Sequence, residues 1–153
     1  MTIRTTTPEA TESVGQRLGA ACRGGELIGL VGDLGTGKTC MVRGVAAGLG
    51  IDPSRVSSPS FTLIGEHRGR LSLFHIDLYR LDNRPIDELW LREYIFGSGV
   101  AVVEWFDRLQ EPVSKEQLRI TLTYAGEDER IMSFAASGTR HRALLASLGA
   151  VGC

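Results

Sequence analysis

Along the first twenty-odd residues, apolar side chains return every three or four positions. Ala10, Val14, Leu18 and Ala21 fall on one face of a predicted helix. Thr7 suits its N-cap, Pro8 its first position, and Gly24-Gly25 ends it. The period then changes. Residues 26–31 (ELIGLV) predict a strand, 32–39 a glycine-rich loop, and 40–49 (CMVRGVAAGL) a second helix ending near Gly50. Residues 52–60 (DPSRVSSPS) are loop by composition. Residues 61–67 (FTLIGEH) and 71–79 (LSLFHIDLY) predict two strands about a turn-like RGR, with a turn at 80–85 and a short helix at 86–96 (IDELWLREYIF). Residues 100–105 (VAVVEW) run four apolar side chains into an acid, the signature of a buried parallel strand. Residues 118–124 and 130–136 alternate in period two around AGEDE, a hairpin pattern, and 139–148 (TRHRALLASL) predict a last amphipathic helix.

The strand–loop–helix order at 26–49 predicts an α/β fold: a sheet with a parallel core and an antiparallel extension, flanked by helices. A chain of 153 residues is expected to form one domain over 1–153. The net charge of −1 gives no electrostatic footprint for RNA or an anionic membrane. No apolar run approaches a membrane span, and the N-terminal ten residues lack the apolar stretch of a signal peptide, so a cytoplasmic protein is expected. Cys22, Cys40 and Cys153 form no CxxC pair and share no metal-ligand spacing with His67, His75 or His141. Idle thiols in a reducing compartment are the simpler expectation. Of 17 basic residues only Lys38 and Lys115 are lysines.

Lys38 stands in the chain's most specific motif. Gly32-Asp33-Leu34-Gly35-Thr36-Gly37-Lys38-Thr39 fits G-x-x-x-x-G-K-[ST] without a mismatch, between a predicted strand and a predicted helix that opens at Cys40. Glycines let the backbone curl so that its N–H groups face phosphates, and the helix N-terminus adds positive potential. Lysine in such a loop reaches the β/γ-phosphates, and the following hydroxyl binds Mg²⁺. Lys38 and Thr39 are therefore expected to serve ATP and Mg²⁺.

A phosphate loop calls for a carboxylate at the end of a neighbouring strand. Glu104 follows the apolar run 100–103; Asp77 ends a less uniform strand that His75 interrupts. The two acids could divide the work, one holding the metal and one orienting an attacking water. Residues 57–62 (SSPSFT) offer hydroxyls where a γ-phosphate-sensing loop would sit, although a turn into a strand explains them as well. Trp105 and Phe106 suit a base, a partner or the core. The GTPase base motif [NT]-K-x-D and an LSGGQ-like stretch are absent, and little room remains for a kinase's substrate insert. A minimal ATPase results. A nucleotide-dependent partner-binding switch and a small-molecule kinase stay open beside it, with Arg43 and Arg80 as local candidates for a catalytic arginine.

The motifs GDLGTGKT (32–39), SSPSFTL (57–63), FHIDLYRLDN (74–83), ELWLREY (88–94) and VAVVEW (100–105) occur in an order and spacing that resemble the TsaE (YjeE) family. The resemblance runs from the helix after Thr7 to the final helix. It implies an ATPase of tRNA threonylcarbamoyladenosine biosynthesis that acts on a TsaB–TsaD complex and touches tRNA only indirectly. By resemblance, Lys38 and Thr39 stand at the loop lysine and the Mg²⁺ ligand, Asp77 at the acid of H-x-D-x-Y-R, and Glu104 at the metal-associated acid of V-E-W. Trp105 matches that motif's tryptophan, Cys40 follows the loop, and the chain near Thr7 matches the region beside the adenine. Ser60 stands where many members carry Thr, and Phe106 where some carry Pro.

Overall fold

A computed structural model describes residues 1–57, 63–79, 88–109 and 114–150. Its strands are β1 (Thr2–Thr5), β2 (Leu27–Val31), β3 (Ile64–Arg68), β4 (Ser72–Asp77), β5 (Val100–Glu104), β6 (Gln117–Tyr124) and β7 (Arg130–Ser137). Its helices are α1 (Pro8–Ala21), α2 (Lys38–Gly48), α3 (Glu88–Ile95) and α4 (Thr139–Ala150). The strands form one sheet in the order β1-β7-β6-β2-β5-β4-β3. The inner four, β6-β2-β5-β4, run parallel, whereas β7, β1 and β3 are antiparallel to their neighbours. The expected parallel core is present, and the antiparallel extension lies on both edges rather than one. β1 was not foreseen: four residues with a single buried side chain carry no readable alternation.

The parallel strands are covered on both faces, so their alternation is hidden in a continuous apolar run. Ile28 and Leu30 of β2 and Val100 and Val102 of β5 pack under α1, α2 and α4. Leu27, Ala101 and Val103 face the other way, toward α3 and Phe106. Phe106 is buried, its ring seated over Gly29, where a Cβ would lie 2.3 Å from the ring. That settles Phe106 as core.

α1 begins as expected: the Thr7 hydroxyl accepts from the Ala10 N–H at 3.1 Å, with Pro8 in the first turn. Its buried face holds the expected Val14 and Leu18, with Ala21 packed against the core, and is widened by residues the apolar pattern did not mark. Thr11, Val14, Gly15, Leu18 and Gly19 are buried, whereas Ala10 and Ala21 are half-exposed. Glycines widen the face because α1 and α2 touch backbone to backbone. A Cβ on Gly44 would lie 2.1 Å from the Glu12 carbonyl oxygen, and one on Gly19 2.2 Å from that of Val45.

The charged stretch 67–71 (HRGRL), which by composition reads as a solvated face or partner contact, is exposed at Arg68, Gly69 and Arg70. Arg70 has an internal role as well: its guanidinium donates to the carbonyls of Cys22 at 3.0 Å and Gly19 at 2.9 Å at the end of α1. Among the described residues no helix is long and apolar enough to cross a membrane.

Candidate nucleotide site

Three parallel strands deliver the site. β2 ends in the glycine-rich loop, β5 ends at Glu104, and β4 ends at Asp77, paired in register with Glu104. Opposed residues of parallel strands share a face, so both acids point to the side covered by α2. The first turn of α2 supplies Lys38 and Thr39. A cavity of about 350 Å³ is lined by Leu34, Gly35, Gly37, Lys38, Thr39, Cys40, Asp77, Tyr79, Glu104 and Trp105. The loop and both predicted acids therefore meet in one place, at the carboxyl ends of the parallel strands.

Glu104 is 3% exposed and tightly held. The Thr39 hydroxyl donates to its two carboxylate oxygens at 3.1 and 3.3 Å. On the other side it meets Nε2 of His75, which is wholly buried. His75 thus does not interrupt the strand, as the sequence pattern suggested. It carries a buried ring that fixes the Glu104 carboxylate. Asp77 is 8% exposed and accepts from the Tyr79 backbone N–H at 2.9 Å. The two acids differ in their company: Glu104 faces Thr39, whereas Asp77, at the last position of β4, holds the backbone of the turn that follows the strand.

The Lys38 ammonium folds back on its own loop, donating to the carbonyls of Gly32 at 2.6 Å and Asp33 at 2.7 Å. Burial pushes its pKa below the ordinary lysine value, and Glu104, Asp77, Asp33 and Asp107 pull the other way. Trp105 covers it, with the ammonium 4.2 Å from the ring centroid. Trp105 takes a left-handed backbone, φ 58°, which turns its ring inward off the end of β5. Arg108 stacks on the outer rings, 5.0 Å from Trp105 and 5.4 Å from Tyr79, and donates to the Tyr79 carbonyl at 2.7 Å.

A second cavity of about 170 Å³ lies behind the loop, lined by Pro8, Thr11, Gly35, Thr36, Gly37, Cys40, Asp128 and Arg130. It adjoins the Thr7–Pro8 segment; the Cys40 thiol donates to the Pro8 carbonyl at 3.1 Å. Burial raises the pKa of that thiol and pushes that of Cys22 up to about 12, which favours the protonated form of both.

Ser60 and Arg80 lie outside the described residues, as does Cys153. Arg43 does not line either cavity: its Nε donates to the Val56 carbonyl at 3.4 Å. His75, Tyr79, Arg108, Tyr124 and Arg130 were missed as site residues. His75 and Tyr79 carried a signal, as the histidine and tyrosine of H-x-D-x-Y-R on either side of Asp77; Arg108, Tyr124 and Arg130 carried none.

Comparison with known proteins gives one family. The model described as "Threonylcarbamoyl adenosine biosynthesis protein TsaE" matches residues 5–132. A Bacillus subtilis protein named tRNA threonylcarbamoyladenosine biosynthesis protein TsaE is 41% identical over 95% of this chain and 91% of its own length. The Treponema pallidum protein of the same name is 35% identical, covering 79% of this chain and 90% of its own. The crystal structure of Bacillus subtilis YdiB superposes with a TM-score of 0.83 at 36% identity, covering 100% of this chain and 96% of the other. The fold is that of a P-loop NTPase.

Proposed function

The chain belongs to the TsaE family, and on that premise we propose that it is a Mg²⁺-dependent ATPase serving tRNA threonylcarbamoyladenosine formation in the cytoplasm. The observation that carries the reading is the convergence of Lys38, Thr39, Asp77 and Glu104 on one cavity at the phosphate loop. The volume and polarity of that cavity suit a triphosphate. The pocket behind the loop, bounded by Pro8, Thr11, Cys40, Asp128 and Arg130, offers the adenine apolar contact together with polar partners.

The donor set fits Mg²⁺. Among the described residues no cluster of three or more His, Cys, Asp or Glu side chains could hold a metal alone. A hydroxyl and one carboxylate, both hard oxygen donors, are what Mg²⁺ takes from a protein when phosphates and waters complete its shell. Thr39 and Glu104 would hold it, and it would neutralise charge developing on the phosphates.

The chain's own residues divide the remaining work. Backbone N–H groups of the loop and the α2 N-terminus receive phosphate oxygens. Lys38 leaves the Gly32 and Asp33 carbonyls and turns to the β/γ-phosphates; its buried, partly shielded ammonium is poised for an anion. His75 keeps the Glu104 carboxylate aimed at Thr39. Asp77, lining the cavity, orients the attacking water and accepts its proton. Trp105 shields Lys38 from bulk solvent, which strengthens the ammonium's hold on phosphate.

Arg108 stacks on two lining residues, Trp105 and Tyr79, without itself lining the cavity. In this reading hydrolysis by the chain alone is slow, and a partner completes the site. Leu34, 67% exposed, and Tyr79, 44% exposed, flank the mouth and give that partner apolar surface. The TsaB–TsaD complex is the expected partner, with tRNA met only through it. Calorimetric titration of ATP with and without Mg²⁺, followed by phosphate release with and without TsaB–TsaD, tests the reading. Binding near micromolar affinity and stimulated release support it. Absence of ATP binding in both conditions refutes it.

A further inference from the structure

We propose that Tyr124 and Arg130 are positioning residues that hold the phosphate loop in its nucleotide-receiving shape from behind, a proposal that rests on reading the loop as an ATP site. The two residues are cross-strand partners at the end of the β6–β7 hairpin, and the Arg130 guanidinium lies 4.6 Å from the Tyr124 ring centroid. From that stack both side chains reach the loop. The Tyr124 hydroxyl donates to the Leu34 carbonyl at 2.6 Å. Arg130 donates through Nε to the Thr36 carbonyl at 3.1 Å and through Nη2 to the Gly35 carbonyl at 3.3 Å. Its Nη1 donates to the hairpin-turn carbonyls of Glu127 at 3.1 Å and Glu129 at 2.9 Å.

Peptide geometry says what this does. In a trans peptide the carbonyl of one residue and the N–H of the next point to opposite sides, and the described chain has no cis bond. Holding the Leu34 and Thr36 carbonyls against the hairpin turns the N–H groups of Gly35 and Gly37 away from it. Both glycines line the phosphate cavity. The intervening Thr36 N–H is taken by the Asp33 carbonyl at 3.2 Å. The other loop carbonyls, those of Gly32 and Asp33, are held by Lys38, which must release them to meet phosphate. The Tyr124 and Arg130 bonds go to loop carbonyls and leave the N–H groups for phosphate. They supply pre-organisation, so the nucleotide does not have to order the loop itself. Because Arg130 also lines the pocket behind the loop and Tyr124 does not, Tyr124→Phe separates the clamp from direct contact with a nucleotide.

The residue types fit the task. A planar guanidinium offers five N–H donors in a fixed fork and can serve carbonyls of two segments at once; a lysine cannot. Gly35 is also explained: with φ 82°, a Cβ there would stand 2.7 Å from the Tyr124 hydroxyl oxygen. The left-handed backbone of Gly35 thus leaves room for the Tyr124 hydroxyl to reach the Leu34 carbonyl.

The test uses the full chain and three variants, Tyr124→Phe, Arg130→Lys and Arg130→Ala. ATP affinity is read by calorimetry, stability by thermal melting, and loop geometry by the amide resonances of Gly35 and Gly37. Tyr124→Phe removes one oxygen and keeps the ring under the guanidinium. It should weaken ATP binding about fivefold, shift both glycine resonances and leave the melting temperature within about 2 °C. Arg130→Ala should weaken binding more than tenfold, with Arg130→Lys in between. Wild-type protein that binds ATP, with Tyr124→Phe binding within twofold of it and with unchanged glycine resonances, overturns the proposal. Wild-type protein that binds no ATP overturns the nucleotide reading instead; the clamp is then decided by the resonances alone, and unmoved Gly35 and Gly37 signals in Tyr124→Phe overturn it too. If the Arg130 variants fail to fold, Tyr124→Phe still decides.

Discussion

Two regions of the molecule are built on glycine, for opposite reasons. In the phosphate loop, Gly35 and Gly37 have φ of 82° and 101°, a left-handed backbone that frees N–H groups for a ligand. In the α1–α2 seam, Gly15, Gly19, Gly44 and Gly48 are ordinary helical residues that let two backbones touch. The same residue type thus serves recognition in one place and packing in the other. Damage to the seam should unfold a protein whose site chemistry is intact. Damage to the loop should silence a protein that stays folded.

The seam gives the largest expected effect. Gly44→Ala places a methyl 2.1 Å from the Glu12 carbonyl oxygen, with backbone on both sides and nothing flexible to yield. We expect destabilisation of about 3 kcal/mol, a fall in melting temperature of roughly 6–12 °C. ATP affinity measured well below that transition should be unchanged. A variant as stable as wild type would break the comparison from the packing side.

On the loop side, Lys38→Ala removes a charge-assisted contact to phosphate. A loss of roughly 2–3 kcal/mol, or about 30- to 150-fold in ATP affinity, is expected. Its melting temperature should fall less than that of Gly44→Ala, because the loss of two hydrogen bonds to loop carbonyls is offset by release from the desolvation of a buried ammonium. Equal destabilisation by Lys38→Ala and Gly44→Ala would show that the two regions are not separable.

Smaller effects sharpen the boundary between the regions. Thr7→Ala removes the α1 cap, for about 1 kcal/mol in chemical denaturation. Because Thr7 adjoins the pocket behind the loop, ATP affinity should fall slightly with it. His141 provides a control remote from both. It is buried, Nε2 accepts from the Leu27 N–H at 3.0 Å, and burial lowers its pKa. The unfolded chain therefore takes up the proton first as pH falls. His141 contributes fully above about pH 6.5, and stability declines below that value, by no more than about 1.4 kcal/mol per pH unit. His141→Gln should flatten that part of the stability–pH curve, and an unaltered slope would contradict the assignment.

How much of this was legible follows from how local each signal is. The phosphate loop, its flanking strand and helix, and the acids at 77 and 104 are contiguous or sit at strand ends, where an apolar run marks the position. The hairpin at 117–137 announces itself by period two. The seam was invisible because its glycines are scattered over two helices, and glycine contributes nothing to an apolar periodicity. That is also why the apolar pattern of α1 marked Val14 and Leu18 but not Gly15 and Gly19, which share the buried face with them. His75 was misread because a pattern cannot distinguish a polar interruption from a buried ring with a carboxylate partner. Tyr124 and Arg130 gave no signal at all: their contacts to the loop span about ninety residues of sequence and exist only once β6 and β7 are paired.

The most direct test of the central claim is Mg²⁺-dependent phosphate release from ATP by wild type and Glu104→Gln, each assayed with the TsaB–TsaD complex. Glutamine keeps the shape and an acceptor for the Thr39 hydroxyl while removing the charge that would hold the metal. The account predicts a fall of at least about 100-fold in rate, with melting temperature and Mg²⁺-free ATP binding near wild type. A Glu104→Gln protein that hydrolyses ATP at the wild-type rate would contradict it.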